Sequence, residues 1–235
     1  MQLISHRYKR IEVGFSLLQR VFDTVFTETV PAEELSSSRR VRAVARLLAL
    51  LGSVLFIGLA IEGVTVVFIG QMISIHVVLG MILLPIMAYK IIIATYRFAM
   101  YYLGAPDFKH AGPPELLLRV IGPLLVITTV VLMASGIILV YARPDTPTAA
   151  FWLNIHRDDF VAWFALMVFH VLAYVRRAVG TSGYDLRYTR YHSLIGRQGR
   201  LISIILAIVI GVLLAWAVFP AVAHWSSFFS VHPSR

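Results

Sequence analysis

Long apolar runs dominate the chain, and each is bounded by charged or turn-forming residues. A helix needs about 20 apolar residues to cross a bilayer. Five runs reach this length, and we predict that each is a transmembrane helix: Leu47–Ile69, Met72–Thr95, Leu118–Tyr141, Ile155–Val175 and Leu201–Phe219. Gly70 and Gln71 are predicted to form the turn in the shortest connection. The pattern therefore indicates an all-α integral membrane protein, a helical bundle with about five transmembrane helices.

The composition supports this class. Of the 235 residues, 59% are apolar and only 14% are charged, whereas a soluble domain carries about a quarter charged residues. The chain has no cysteine, which excludes disulfides, iron–sulfur clusters and cysteine-attached haem. No cleaved signal peptide is predicted. We divide the chain into a cytoplasmic segment (residues 1–46), a transmembrane bundle (residues 47–219) and a short outer tail (residues 220–235).

The positive charges predict the orientation. Lysine and arginine are concentrated in the N-terminal segment, the second loop and the fourth loop. Two predicted spans separate each of these segments from the next, so all three lie on the same side of the membrane. The opposite side carries three arginines: Arg143, Arg157 and Arg235. Because positive loops favour the cytoplasm, we predict a multi-pass inner-membrane protein with its N-terminus inside and its C-terminus outside. The net charge of +9 then reflects topology, with membrane lipid and no nucleic acid as partner.

The N-terminal segment has apolar residues at helical spacing between Ile11 and Phe26. Two interpretations remain open. The segment is either an amphipathic helix that lies on the inner membrane surface or a cytosolic helix that packs on the bundle.

Four ionisable residues stand within or at the edges of the spans, where such groups are costly and usually functional: His76, Lys90, His156 and His170. His156 and His170 are 14 positions apart. This interval turns both side chains to within about 40° of one direction and separates them by about 21 Å. His76 and Lys90 repeat the interval on a parallel span. We predict an outer level, at His76 and His156, and an inner level, at Lys90 and His170. Two facing imidazoles are what a bis-histidine haem iron requires.

The third span repeats the interval with glycines. Gly122 and Gly136 are also 14 positions apart, and they fall at the inner and outer levels respectively. A helix can pass close to a flat macrocycle only where side chains are absent. We therefore expect both glycines to make room for haem, and Gly80, one turn after His76, to do the same.

Taken together, these residues resemble those of the cytochrome b family, the haem-carrying membrane subunits of respiratory and related oxidoreductases. The resemblance covers the second to fourth spans and rests on three pairs: His76 and Lys90, His156 and His170, Gly122 and Gly136. In that family two helices each present two histidines, and two b-type haems stack across the membrane. The resemblance implies one or two haems b, with two favoured. It also implies electron transfer between a membrane quinone and a soluble or membrane redox partner subunit.

Lys90 departs from the family pattern, because it stands where a fourth histidine is expected. It is predicted to be a neutral iron ligand, a partner of a haem propionate, or a cation that snorkels to the inner interface. Arg97 is predicted either to meet a propionate or to belong to an interfacial belt. Glu62 is predicted either to take up protons during quinone chemistry or to be a neutral acid bonded to a neighbouring helix. A haem-free transporter or a structural subunit of a membrane complex is the alternative function.

Overall fold

The computed structural model of the protein describes residues 38–112, 116–186 and 196–231. These residues form helices and no strands: α1 Arg39–Val67, α2 Ile69–Tyr102, α3 Pro106–His110, α4 Leu116–Tyr141, α5 Pro147–Leu186 and α6 Arg197–Val231. The possible amphipathic helix between Ile11 and Phe26 lies outside the described residues. Five of the helices, all but α3, are long and apolar enough to cross a membrane. The predicted all-α membrane bundle is therefore confirmed.

The helices extend beyond the predicted spans at several ends. Helix α5 begins at Pro147 rather than at Ile155, and α6 continues to Val231 rather than ending at Phe219. The apolar runs mark only the length that hydrocarbon requires. Polar residues continue the same helices on either side, because their backbone hydrogen bonds do not depend on apolar side chains.

The connection between α1 and α2 differs from the prediction. The helix breaks at Phe68, and Gly70 and Gln71 lie in the short segment between Phe68 and the non-helical Met72, so the connection extends beyond the predicted turn on both sides. Phe68 has φ −112° and ψ 35°, and its N–H donates to the carbonyl of Val64 at 3.3 Å. Met72 has a second non-helical conformation, with φ −115° and ψ 15°. Both φ angles are negative, so no glycine is needed at the break.

The packing places α1 between the two histidine-bearing helices. Helix α1 packs against both α2 and α5, α5 also packs along α4, and α6 packs along α2. Contacts of α4 with α2 and α6 are sparse by comparison. The α2–α6 contact is close because Gly211 lies directly against the backbone of Ile82. Trp163 Nε1 donates to Thr129 Oγ1 at 3.0 Å and ties α5 to α4.

An apolar layer separates the two predicted levels within the α1–α2 pair. Leu55 and Leu83 are 5% and 4% exposed. Gly58 of α1 lies against the side chain of Leu83, so the two helices approach closely there. Polar side chains of α1 and α2 meet above this layer, and Lys90 lies below it. A layer of buried leucines thus separates the polar side chains of the outer level from Lys90 at the inner level.

Candidate metal centre

The structure brings the side chains of the outer level together. His76 of α2 and His156 of α5 face each other with their ring centroids 6.4 Å apart and their planes at 86°. Each side chain is partly buried. The two helices that carry them are held at this distance by α1, which packs on both. The two imidazoles therefore share one space inside the bundle.

Helix α1 holds the imidazole of His76 through its Nδ1 atom. Glu62 Oε1 lies 2.9 Å from Nδ1, and Thr65 Oγ1 lies 3.1 Å from it. The Thr65 hydroxyl donates its proton to the main-chain carbonyl of Glu62 at 2.6 Å, so it accepts a hydrogen bond from the ring. Nδ1 therefore carries the proton. In the neutral ring, Nε2 keeps its lone pair.

Helix α4 holds His156 in the same way. Ser135 Oγ lies 3.0 Å from Nδ1 of His156. The Ser135 hydroxyl donates its single proton to carbonyls of its own helix, Val131 at 2.8 Å and Leu132 at 3.0 Å. With its proton on a carbonyl, this hydroxyl accepts from Nδ1–H, which gives His156 the same tautomer as His76. In this tautomer both rings offer Nε2 as the nitrogen available to a metal.

The two glycines of the outer level lie beside these groups. A Cβ on Gly136 would lie 3.2 Å from Cε1 of His156, so this glycine makes room for the imidazole itself. A Cβ on Gly80 would lie 3.4 Å from Oε1 of Glu62, which is an ordinary contact, so a glycine is not required there. Room for a macrocycle beside either glycine stays a prediction.

The spacing of the two rings can be compared with that of two imidazoles on one metal. A ligating imidazole nitrogen lies about 2 Å from its metal, so two rings on opposite sides of one metal have centroids about 6 Å apart. The observed 6.4 Å is close to that value. Metal-binding histidines also bond their other nitrogen to a carboxylate, carbonyl or hydroxyl that orients the ring. Glu62 and Thr65 contact Nδ1 of His76, and Ser135 contacts Nδ1 of His156.

Larger groups of metal-ligating side chains do not occur in the described part of the chain. None of these residues forms a cluster of three or more histidine, cysteine, aspartate or glutamate side chains with metal-binding geometry. Two imidazoles suit a metal whose remaining ligands come from a cofactor. The four equatorial nitrogens of a haem macrocycle complete such a set.

The inner level has a different character. The Nζ atom of Lys90 lies 3.1 Å from the position that a Cβ on Gly52 would take, so the lysine reaches across to α1 at its own depth. The ring of His170 lies 4.9 Å from that of Tyr174. A Cβ on Gly122 would meet no atom within 4 Å, which leaves open space beside α4.

Sequence reasoning missed two of the anchoring residues. Glu62 stood out as an acid in a span, but its bond to His76 was not foreseen, and Thr65 and Ser135 were not singled out. Serine and threonine in helices commonly bond a carbonyl one turn back, so neither residue differs from an ordinary helical hydroxyl. The one available signal was the spacing of Glu62 and Thr65, which puts both on one face of α1.

Arg97 is partly buried two turns beyond Lys90.

Comparison of the chain with protein-family models, with curated proteins and with solved structures found no match. The fold and the site define a multi-pass helical membrane protein with two anchored, facing imidazoles between α2 and α5.

Proposed function

We propose that the chain is a transmembrane b-type cytochrome, with His76 and His156 as the axial ligands of a haem. It transfers electrons between a membrane quinone and a soluble or membrane redox partner, as a subunit of an oxidoreductase. The observation that carries this proposal is the pair of imidazoles 6.4 Å apart, each fixed through Nδ1 by a neighbouring helix. The iron of a bis-histidine site is six-coordinate and low-spin. Because no coordination position is open to an external ligand, such a site favours electron transfer over the binding or activation of a substrate at the iron.

The haem supplies the one-electron redox chemistry, and the chain binds and orients it. Glu62 and Thr65 fix the ring of His76, and Ser135 fixes the ring of His156. Fixed rings need little rearrangement when the charge of the iron changes, which favours rapid transfer. Leu55 and Leu83 form a buried apolar layer beneath the site.

We extend the proposal to a second haem at the inner level, with His170 as one ligand. The Lys90 amine either completes the coordination as a neutral donor or holds a propionate as a cation. Open space beside Gly122 supports a second cofactor here. The apolar layer at Leu55 and Leu83 would separate the two haems.

The five apolar helices indicate a lipid environment. The charge pattern supports an inner-membrane location with the N-terminus in the cytoplasm. Reporter fusions after Arg177 and at the C-terminus should report opposite sides of the membrane, since α6 separates them. Reporters on the same side would rule out this topology.

The function is tested by spectra of the purified full-length protein, oxidised and then reduced with dithionite, with haem quantified per chain. We expect the spectrum of a low-spin b-type haem and about two haems per chain. One haem per chain would retain the function and remove the inner site. A purified protein that binds no haem after expression with excess haem would refute the proposal and favour the transporter or structural alternative.

A further inference from the structure

We propose that Glu62 is a positioning residue that lowers the reduction potential of the outer haem through His76. The inference rests on the proposed function, because it concerns the same site. It deepens that function by assigning the control of the potential to one carboxylate on α1. It also makes the two axial ligands inequivalent.

The inequivalence is visible in the hydrogen bonds. His76 donates from Nδ1 to a carboxylate oxygen of Glu62 at 2.9 Å, while His156 donates to the neutral hydroxyl of Ser135 at 3.0 Å. The distances are nearly equal, so the two anchors differ mainly in the group that bonds the ring, a carboxyl group for His76 and a hydroxyl for His156. Thr65 gives His76 a second acceptor, a hydroxyl, at 3.1 Å. Of the two rings, only that of His76 therefore bonds a carboxyl side chain among the described residues.

The surroundings of Glu62 strengthen its effect. Its side chain is 14% exposed and that of His76 is 21% exposed, so little water screens the contact. Charges interact more strongly in a low-dielectric interior than in water. A carboxylate that accepts from Nδ1–H makes the imidazole a stronger donor at Nε2. A stronger donor and a nearby negative charge both favour ferric over ferrous iron, and so the potential falls.

The other acids at this depth make no such bond to an imidazole. Asp158 is exposed, and Asp159 has a buried Oδ2 atom with no hydrogen-bond partner among the described residues. Asp159 lies one turn from His156 and therefore provides a matched carboxylate control.

The experiment is a spectroelectrochemical titration of the full-length haem protein at fixed pH. The variants are Glu62→Gln, which removes the charge, and Glu62→Asp, which withdraws the carboxylate by one methylene. Ser135→Ala and Asp159→Asn are the controls. We expect Glu62→Gln to favour the reduced outer haem about tenfold, which is about 59 mV for a one-electron couple. Glu62→Asp should shift the potential in the same direction, but by a smaller amount than Glu62→Gln. Each control should shift the potential by less than half as much as Glu62→Gln.

Each outcome is decisive when the low-spin spectrum is retained. An unchanged potential in Glu62→Gln would overturn the role of Glu62 and leave the haem in place. A shift of equal size in Ser135→Ala or Asp159→Asn would also overturn it, because the bond to the charge would not be the cause. If Glu62→Gln fails to assemble, the Asp variant decides: an upward shift supports the inference, and no shift overturns it. A parent protein without haem refutes the proposed function itself.

Discussion

The outer and inner levels are built on the same two helices at the same interval, yet they differ in kind. At the outer level two imidazoles face each other, and each is anchored by a neighbouring helix. At the inner level the Lys90 amine lies beside Gly52 of α1, and a Cβ on Gly122 of α4 would meet no atom within 4 Å. The interval determines where side chains meet. The residues that α1 and α4 contribute determine what they can hold.

Helix α1 shows this difference most directly. It supplies Glu62 and Thr65 to the outer level, and both contact the imidazole of His76. It supplies Gly52 to the inner level, where the missing side chain admits the amine of Lys90. Glu62 of α1 orients the ring of His76, whereas Gly52 of α1 leaves room for the long side chain of Lys90. The outer level is therefore the better preorganised of the two.

The largest effect expected is loss of the outer haem. His76→Ala or His156→Ala removes one axial ligand, and the neutral cavity that remains offers no replacement imidazole. We expect either variant to lose about one haem per chain and the corresponding low-spin signal, measured by haem quantification and by absorption. His110→Ala, at an exposed position on α3, is the control. Unchanged haem content and spectrum in both variants would contradict the pairing.

The sequence was sufficient to predict the five transmembrane helices, because the bilayer fixes the length and the apolar composition of each span. It was also sufficient to place His76 and His156 at one depth, because both follow the outer ends of parallel helices. It could not locate the break at Phe68, where a negative φ leaves no glycine or proline signal. Nor could it identify Ser135, because a helical serine looks the same whether or not an imidazole from another helix contacts it.

The second prediction separates the inner level from the outer one. His170→Ala should lower the haem content from about two per chain to about one and leave the outer spectrum unchanged. Lys90→Leu removes the amine and introduces no other group that could ligate iron, such as the thioether of methionine. If Lys90 is the ligand, the inner haem should remain partly bound and become high-spin. If it holds a propionate, binding should weaken without a change of spin state. One haem per chain in the parent, unaltered by His170→Ala, would show that the inner level is ordinary packing.

The third prediction compares the two glycines of α4. In Gly136→Ala the new methyl would lie 3.2 Å from Cε1 of His156, so the ring must move. Overpacking of this kind costs about 1–3 kcal/mol. We expect haem to leave the outer site about tenfold faster, measured by transfer to an acceptor protein. Gly122→Ala meets no atom within 4 Å, so the outer haem should be unaffected.

The same pair of variants also tests the inner level. If a macrocycle lies beside Gly122, the alanine methyl competes with it, and inner haem is lost while the outer signal persists. Full occupancy of both sites in Gly122→Ala would show that this glycine does not make room for haem. Equal effects of the two variants on the outer haem would contradict the assignment of Gly136 to His156.

The smallest effect is expected at Gly52. The methyl of Gly52→Ala would lie 3.1 Å from Nζ of Lys90, but Nζ is the end of a flexible side chain and can move aside. Alanine also stabilises a helix relative to glycine by about 0.5–1 kcal/mol. We therefore expect a net change in unfolding free energy of no more than about 1 kcal/mol. Gly211→Ala is the contrast, because its methyl would meet the backbone of Ile82, which cannot yield without separating α2 from α6.

A double-mutant cycle isolates the contact itself. If the Lys90 amine lies against Gly52, the effect of Gly52→Ala should be more favourable in a Lys90→Ala background, with a coupling of about 0.5–1 kcal/mol. The measurement is denaturant unfolding in detergent micelles for the parent, both single variants and the double variant. Strict additivity would show that the amine does not cross to α1. Coupling would instead place the amine of the partly buried Lys90 against α1 at the inner level, where a cofactor would meet it.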